Sequence, residues 1–380
     1  MAQDAAVAER CLAEARSCVP ELAAGDGCTA SRISGGISNH LFLVSRPGCE
    51  TQALVRLYGA EEPLCDRGSE EALVQLLSAR GFGPKVLGVF AGGRVEQYWH
   101  ARRPLVPAES MKHEPVDFAA MVARRLAELH NLSLTVPGRA TAEEQLSRWL
   151  AAVEPAAGGG PVDRAALSEA IDRVATLRPT AQSAAQLAIE KVLTERTLCH
   201  LDLFAANLLY GTDGMQRAGV GAAAASAAAE EEDVQFIDYE YAGDATVGLD
   251  IANHMSGCTE LIEGESVTFD TSFYPTAAQQ AHFLEVYLTG RGLEEAAEAL
   301  RSDPAAAAFA RRLLVAFAAE AELRWVVWGL LQQQLSSVSF DFGDYASQRW
   351  ACFGLYKAWA TQQQGEKEGE EGEEGEIMPP

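Results

Sequence analysis

The chain has 380 residues, enough for about two domain-sized cores. Its net charge of −24 sets it against nucleic acid, whose phosphates it would repel. No apolar run reaches the roughly 18 residues of a membrane span, and Met1 to Cys18 lacks a signal peptide's apolar middle, so a cytoplasmic protein without a membrane span is expected. The charge is uneven: Gly365 to Glu376 and Glu230 to Asp233 together carry −10 of it. The eight cysteines include no C-x-x-C pair and read as reduced thiols.

In chain order, residues 1–29 form a helical extension whose first 18 residues alternate Ala, Glu and Arg as an amphipathic surface helix. Residues 30–104 read as one lobe. Its strands are Ser31 to Ser34, Leu41 to Val44 and Ala53 to Leu57, followed by a helix over Glu70 to Arg80 that Gly81-Phe82-Gly83-Pro84 stops. Strands Val86 to Phe90 and Val95 to Trp99 complete a β-β-β-α-β-β order, an antiparallel sheet with one packed helix. Between the first two strands, Gly35 and Gly36 would let backbone N–H groups approach phosphate, although a Gly-Gly pair also serves an ordinary hairpin turn. Residues 105–363 form a mostly helical second lobe, with a first helix over Phe118 to His130. The Ala/Gly run at 217–232 reads as an inserted disordered tip, and 364–380 is expected to be a disordered acidic tail. The fold class is α+β.

Chemistry concentrates in His200-Leu201-Asp202-Leu203-Phe204-Ala205-Ala206-Asn207, an H-x-D-x4-N pattern, and in the apolar strand that ends at Asp238. Phosphoryl transfer needs a carboxylate to orient the attacking hydroxyl, here Asp202, and oxygen ligands for Mg²⁺, here Asn207 and Asp238. Arg56 stands on a strand where a cation would grip phosphate, and Glu70 or Glu71, opening the helix that follows, is the expected partner for it. Trp325 and Trp328, three apart on a helix, share a face, and Tyr345 follows them; such aromatics hold an ammonium group by cation–π attraction.

These residues together resemble the choline/ethanolamine kinase family. The resemblance covers most of residues 30 to 355. Its specific motifs are Arg80 to Lys85, Gly93 to Gln97, Phe236 to Gly243, Leu249 to His254, and the segment from Trp325 through Ser336 to Phe340 and Asp344 to Ala346. It implies a protein-kinase-like two-lobe fold and transfer of the ATP γ-phosphate to an amino-alcohol hydroxyl. Asp202 would be the base with His200 beside it, and Asn207 and Asp238 the Mg²⁺ ligands. Gly35, Gly36, Ser38, Asn39, Arg56, Glu70 and the hinge Gln97, Tyr98 and Trp99 would bind ATP. Glu240, Tyr241, Trp325, Trp328, Tyr345 and Glu260 would line the ammonium pocket. Homodimers are implied as well.

The chain departs from the family at Leu201, usually Asn; at Gly257, usually an acid that holds the substrate cation; and at Ala252, usually Gly. Leu203, Tyr210, Tyr239, Ala242 and Phe340-Asp341-Phe342 look closer to the ethanolamine kinases. The expected function is ethanolamine phosphorylation in phosphatidylethanolamine synthesis. The alternatives are a choline or dual-specificity kinase, an aminoglycoside-type phosphotransferase, or a non-catalytic binding protein of kinase fold.

Overall fold

The computed structural model describes residues 2–33, 39–58, 64, 66–132, 134, 136, 138–154, 162–212, 232–263, 266–336 and 338–365. The expectations for Gly35, Gly36 and Ser38, for all but the last residue of the 217–232 insert, and for the tail beyond Gly365 lie outside the described residues. The chain divides into two compact units, one of residues 1–103 and 210–237, the other of 104–209 and 238–380.

The first unit begins with α1 (Ala2–Cys18) and α2 (Pro20–Ala23). Five strands follow: β1 (Thr29–Ile33), β2 (Asn39–Ser45), β3 (Ala53–Tyr58), β4 (Val86–Phe90) and β5 (Gly93–Gln97), with α3 (Arg67–Ser78) between β3 and β4. They form the antiparallel sheet expected from the sequence, and its strands lie in the order β1-β2-β3-β5-β4. Asp66 caps α3, accepting from the N–H groups of Gly68 and Ser69, which moves the helix start ahead of the expected Glu70. The first helix is more than a surface helix: Cys11, Ala15, Val19 and Leu22 join Phe42, Val44, Val55 and Val95 in one buried cluster. The helical extension and the sheet therefore share a core.

After β6 (Arg102–Pro104) the chain turns helical, with α4 (Phe118–His130), α5 (Ala142–Ala152), α6 (Arg164–Arg173) and α7 (Ala184–Leu193). Side chains of Asp117, Thr141, Asp163 and Ser183 cap these four, each accepting a backbone N–H of the first turn. Four short strands follow in the chain: β7 (Arg196–Cys199), just before the H-x-D motif, then β8 (Leu208–Gly211), β9 (Asp233–Phe236) and β10 (Gly243–Thr246). β7 pairs antiparallel with β10, setting Cys199 opposite Gly243, while β6, β8 and β9 make a sheet in that order. Next come α8 (Val247–Gly257), the hairpin β11 (Glu260–Glu263) and β12 (Ser266–Phe269), α9 (Ala277–Gly290), α10 (Glu294–Ser302), α11 (Pro304–Leu335) and α12 (Phe342–Gly365). The 32-residue α11 is buried along most of its length and packs on α8 and α12. Among the described residues no helix is long and apolar enough to cross a membrane. The antiparallel sheet with one helix and the helical remainder are those of a protein-kinase-like fold.

Candidate active site

In the second unit, the segment after β7 is held from beneath by α8. Asp250 accepts from the backbone N–H of His200 at 2.7 Å through Oδ2 and of Leu201 at 2.7 Å through Oδ1. His130 Nε2 meets Oδ2 at 3.0 Å. Burial alone would raise the Asp250 carboxyl; hydrogen bonding and charge from His130, with the Leu201 N–H, hold it below the ordinary aspartate range. One helical turn on, His254 meets the Leu203 carbonyl through Nδ1 at 2.9 Å, and burial depresses this imidazole to about 4. The i, i+4 spacing of Asp250 and His254 puts both on one helix face, where they fix the loop at two points. His130, Cys199 and Asp250 offer ligand atoms within 4.8 Å of one another. This Asp250, however, is already engaged by two backbone donors and an imidazole, as expected of a structural cradle.

Leu201 takes φ 64° and Asp238 φ 68°, the positive-φ non-glycine residues among those described. The turn at Leu201 presents Asp202, whose backbone N–H donates to His200 Nδ1 at 3.3 Å. His200 is fully buried, with its ring on Tyr239 at 4.6 Å, so it supports the loop from inside. Asn207, on a single 3-10 turn over Ala205–Asn207, donates its amide to the Asp202 carbonyl at 2.8 Å and carboxylate at 3.1 Å. Its carbonyl oxygen is thereby the end left for a cation. Burial pushes the Asp202 carboxyl well above the ordinary range, and the charges of Asp238, Glu240 and Glu260 push it further; the Asn207 bond only partly opposes them. Asp202, the Asp238 carboxylate whose charge it feels and the Asn207 amide oxygen offer only oxygen donors, and repulsion between the acids is what a hard divalent ion relieves. The residues present fit Mg²⁺.

A residue that sequence reasoning missed braces the turn after Asp238. Arg139 donates through Nε to the Ala242 carbonyl at 2.5 Å, and through Nη2 to those of Glu240 at 2.8 Å and Tyr239 at 3.2 Å.

Trp325 and Trp328 of α11 stand edge-to-face with centroids 5.6 Å apart. Trp325 Nε1 donates to Asn253 at 2.7 Å, and Trp328 Nε1 to the Tyr241 hydroxyl at 2.8 Å. Tyr345 lies 5.4 Å from Trp328 and Tyr241 lies 5.7 Å from Trp325, so the four predicted aromatics form one cluster. Glu240 is buried, and Glu260, at the start of β11, binds Arg349 Nη2 at 2.5 Å.

In the first unit, the expected Arg56–Glu70 pairing is replaced. Glu70 is gripped by Arg94 Nη1 at 2.9 Å and Arg67 Nη1 at 2.7 Å, while Arg56 Nε lies 3.7 Å from Glu96, which also binds Arg94 at 2.5 Å. The physical reason is sheet register: Arg94 on β5 sits directly across from Arg56 on β3. Burial favours neutral Glu70, yet Arg94 and Arg67 overcome it and lower the carboxyl to about 2. Asn39 opens β2 and accepts from Arg67 Nη2 at 3.4 Å. In the hinge stretch, Gln97 N–H donates to the Lys85 carbonyl at 2.9 Å, Tyr98 N–H to that of Gln52 at 3.4 Å, and Trp99 carries Arg102 over its ring at 5.2 Å.

A family model described as choline/ethanolamine kinase matches residues 30–354. The chain belongs to the choline/ethanolamine kinase family. It is 27% identical over 342 residues to "Probable choline kinase 1" of Arabidopsis thaliana, covering 86% of each chain. It is 28% identical over 339 residues to "Probable ethanolamine kinase" of the same plant, covering 83% of this chain and 76% of that protein. Its fold matches the crystal structure of a choline kinase from Cryptosporidium parvum, with TM-score 0.72 and 19% identity over 94% of this chain and 97% of that one.

The departures from the family's pattern have local physical accounts. A Cβ added at Gly257 would lie 3.0 Å from Phe204 Cβ and 3.3 Å from its Cα, so a side chain there requires the loop backbone to shift. Leu201 occupies the left-handed conformation that Asn tolerates better, and does so with a buried side chain. Arg94, Glu96 and Arg349 lie in or beside the family motifs, a signal that could have marked them. Glu322, the other partner of Arg349, is isolated in the sequence.

Proposed function

We propose that the protein transfers the γ-phosphoryl group of ATP to the hydroxyl of ethanolamine, with Mg²⁺ as cofactor. Asp202 accepts a hydrogen bond from the substrate hydroxyl and takes its proton as the new P–O bond forms. Asn207 and Asp238 are the metal's ligands; the ion, when bound, offsets charge on the phosphate oxygens. His200 and Asn207 orient Asp202, and Arg139, Asp250 and His254 are positioning residues for the two segments that carry the acids. In the first unit, Arg56 with Asn39, Glu70 and the stretch Gln97 to Trp99 is assigned to the nucleotide. The observation that supports phosphoryl transfer is the Asp202–Asn207–Asp238 set, whose acidic surroundings favour a bound cation. The aromatic cluster of Tyr241, Trp325, Trp328 and Tyr345 beside Glu260 supports a small amine-bearing alcohol as the acceptor.

A second reading, choline as acceptor, is favoured by the same cluster, because aromatic faces attract a quaternary ammonium that cannot donate hydrogen bonds. The test is ADP release with Mg²⁺, with ethanolamine and choline run in parallel. A kcat/KM about tenfold higher for ethanolamine supports the first reading, corresponding to about 1.4 kcal/mol in transition-state binding. The inverse ratio supports the second, and absence of release with both contradicts the two together.

A further inference from the structure

Three charged side chains are built into the aromatic cluster. Glu322 lies one turn before Trp325 on α11 and is completely buried; Arg349 lies one turn after Tyr345 on α12; Glu260 opens β11. Arg349 Nη1 donates to both Glu322 oxygens at 3.2 Å, and Nη2 donates to Glu260 Oε2 at 2.5 Å. Its Nε donates to the Tyr345 hydroxyl at 3.0 Å, and the guanidinium lies 5.1 Å from the Tyr345 ring centroid and 4.4 Å from that of Phe269.

This arrangement has two consequences for an incoming cation. A fixed guanidinium already lies over the Tyr345 ring, so that ring attracts a second positive charge less strongly. Two carboxylates against one guanidinium leave the triad at −1 when both acids are ionised, a deficit that a ligand cation can neutralise. Burial drives the Glu260 and Glu322 carboxyls upward against the pull of Arg349. Glu260 is the least buried of the three, and its charge is felt at Asp202. A primary ammonium brings three N–H donors able to make short charge-assisted bonds to a carboxylate, whereas a quaternary one brings none.

We propose that the Glu260–Arg349–Glu322 triad sets amine selectivity: Glu322 pins Arg349 over Tyr345, and Glu260 receives the N–H donors of a primary ammonium group. This rests on the amino-alcohol kinase reading above and adds to it the residues that discriminate among amines.

The test is kcat/KM along ethanolamine and its N-methyl, N,N-dimethyl and N,N,N-trimethyl derivatives, for the unaltered protein, Glu260→Gln and Glu322→Gln. Each methyl removes one N–H donor, so the unaltered protein should decline stepwise along the series. Glu260→Gln should cut ethanolamine turnover about tenfold, change the trimethyl compound by less than about threefold, and leave the KM for ATP within about twofold. Glu322→Gln, which also removes the −1, should flatten the series in the same direction and supplies the comparison if Glu260→Gln does not fold. Equal losses on all four amines, or an unchanged series in the folded variants, would overturn the proposal. Absence of turnover by the unaltered protein with every amine would overturn the kinase reading itself, and this inference with it.

Discussion

Leu201 sets two energies against each other. A left-handed φ costs a non-glycine residue roughly 1–2 kcal/mol, while burying a leucine side chain to 1% exposure contributes about 2–3 kcal/mol. Burial wins, which accounts for a leucine where the family resemblance leads one to expect Asn. Leu201→Asn should therefore lower stability by about 1 kcal/mol, read as a drop in Tm, while turnover is retained; a higher Tm would mean that strain dominates. Asp202 is the opposite case, a residue kept at a cost to stability. Its carboxyl is raised by burial and by Asp238, Glu240 and Glu260, so the folded protein binds that proton more tightly than the unfolded chain does. The charged form consequently destabilises the fold, increasingly as pH rises through the raised pKa. Asp202→Asn should abolish turnover and, in metal-free protein near neutral pH, raise Tm; a lower Tm would contradict the electrostatic account.

At the scale of elements, α3 and β5 are joined through Glu70 and Arg94. The Glu70 carboxyl falls from an ordinary 4.5 to about 2 because Arg94 and Arg67 outweigh burial. Its contribution is complete above about 4.5 and is lost as pH falls toward about 2. The shift corresponds to roughly 3 kcal/mol. Glu70→Gln should flatten the acid limb of stability in that window, measured by denaturant unfolding at a series of pH values; an unchanged limb would place the acid sensitivity elsewhere. The turn after Asp238 depends in the same way on one side chain. Arg139→Ala removes hydrogen bonds to the carbonyls of Tyr239, Glu240 and Ala242 and should lower kcat about tenfold to a hundredfold through misplacement of Asp238 and Tyr241. Circular dichroism should show the secondary structure intact; an unaltered kcat would deny the bracing role.

Across the whole molecule, local pattern was legible and cross-element pairing was not. The bounds of α4 follow from apolar periodicity and match the expected helix, and the β-β-β-α-β-β order followed from punctuation by Gly and Pro. The role of α1 in the sheet's core was hidden, because Ala and Cys on a weakly apolar face do not announce burial. Arg94 was missed as the partner of Glu70 because strand register, which sets it opposite Arg56, is a long-range property. Asp202, Asn207 and Asp238, the residues of the proposed site, could be singled out because phosphoryl transfer fixes residue type and spacing. Arg139 and Glu322 were not, since their meaning comes from backbone carbonyls and a guanidinium far along the chain.

The most direct test of the central claim is ³¹P NMR of the unaltered protein and Asp202→Asn with ATP, Mg²⁺ and ethanolamine. The account predicts a phosphomonoester on the ethanolamine oxygen, formed with ADP in equal amount, and none from the variant. Phosphate appearing only as inorganic phosphate, or equal phosphomonoester from both proteins, would contradict it.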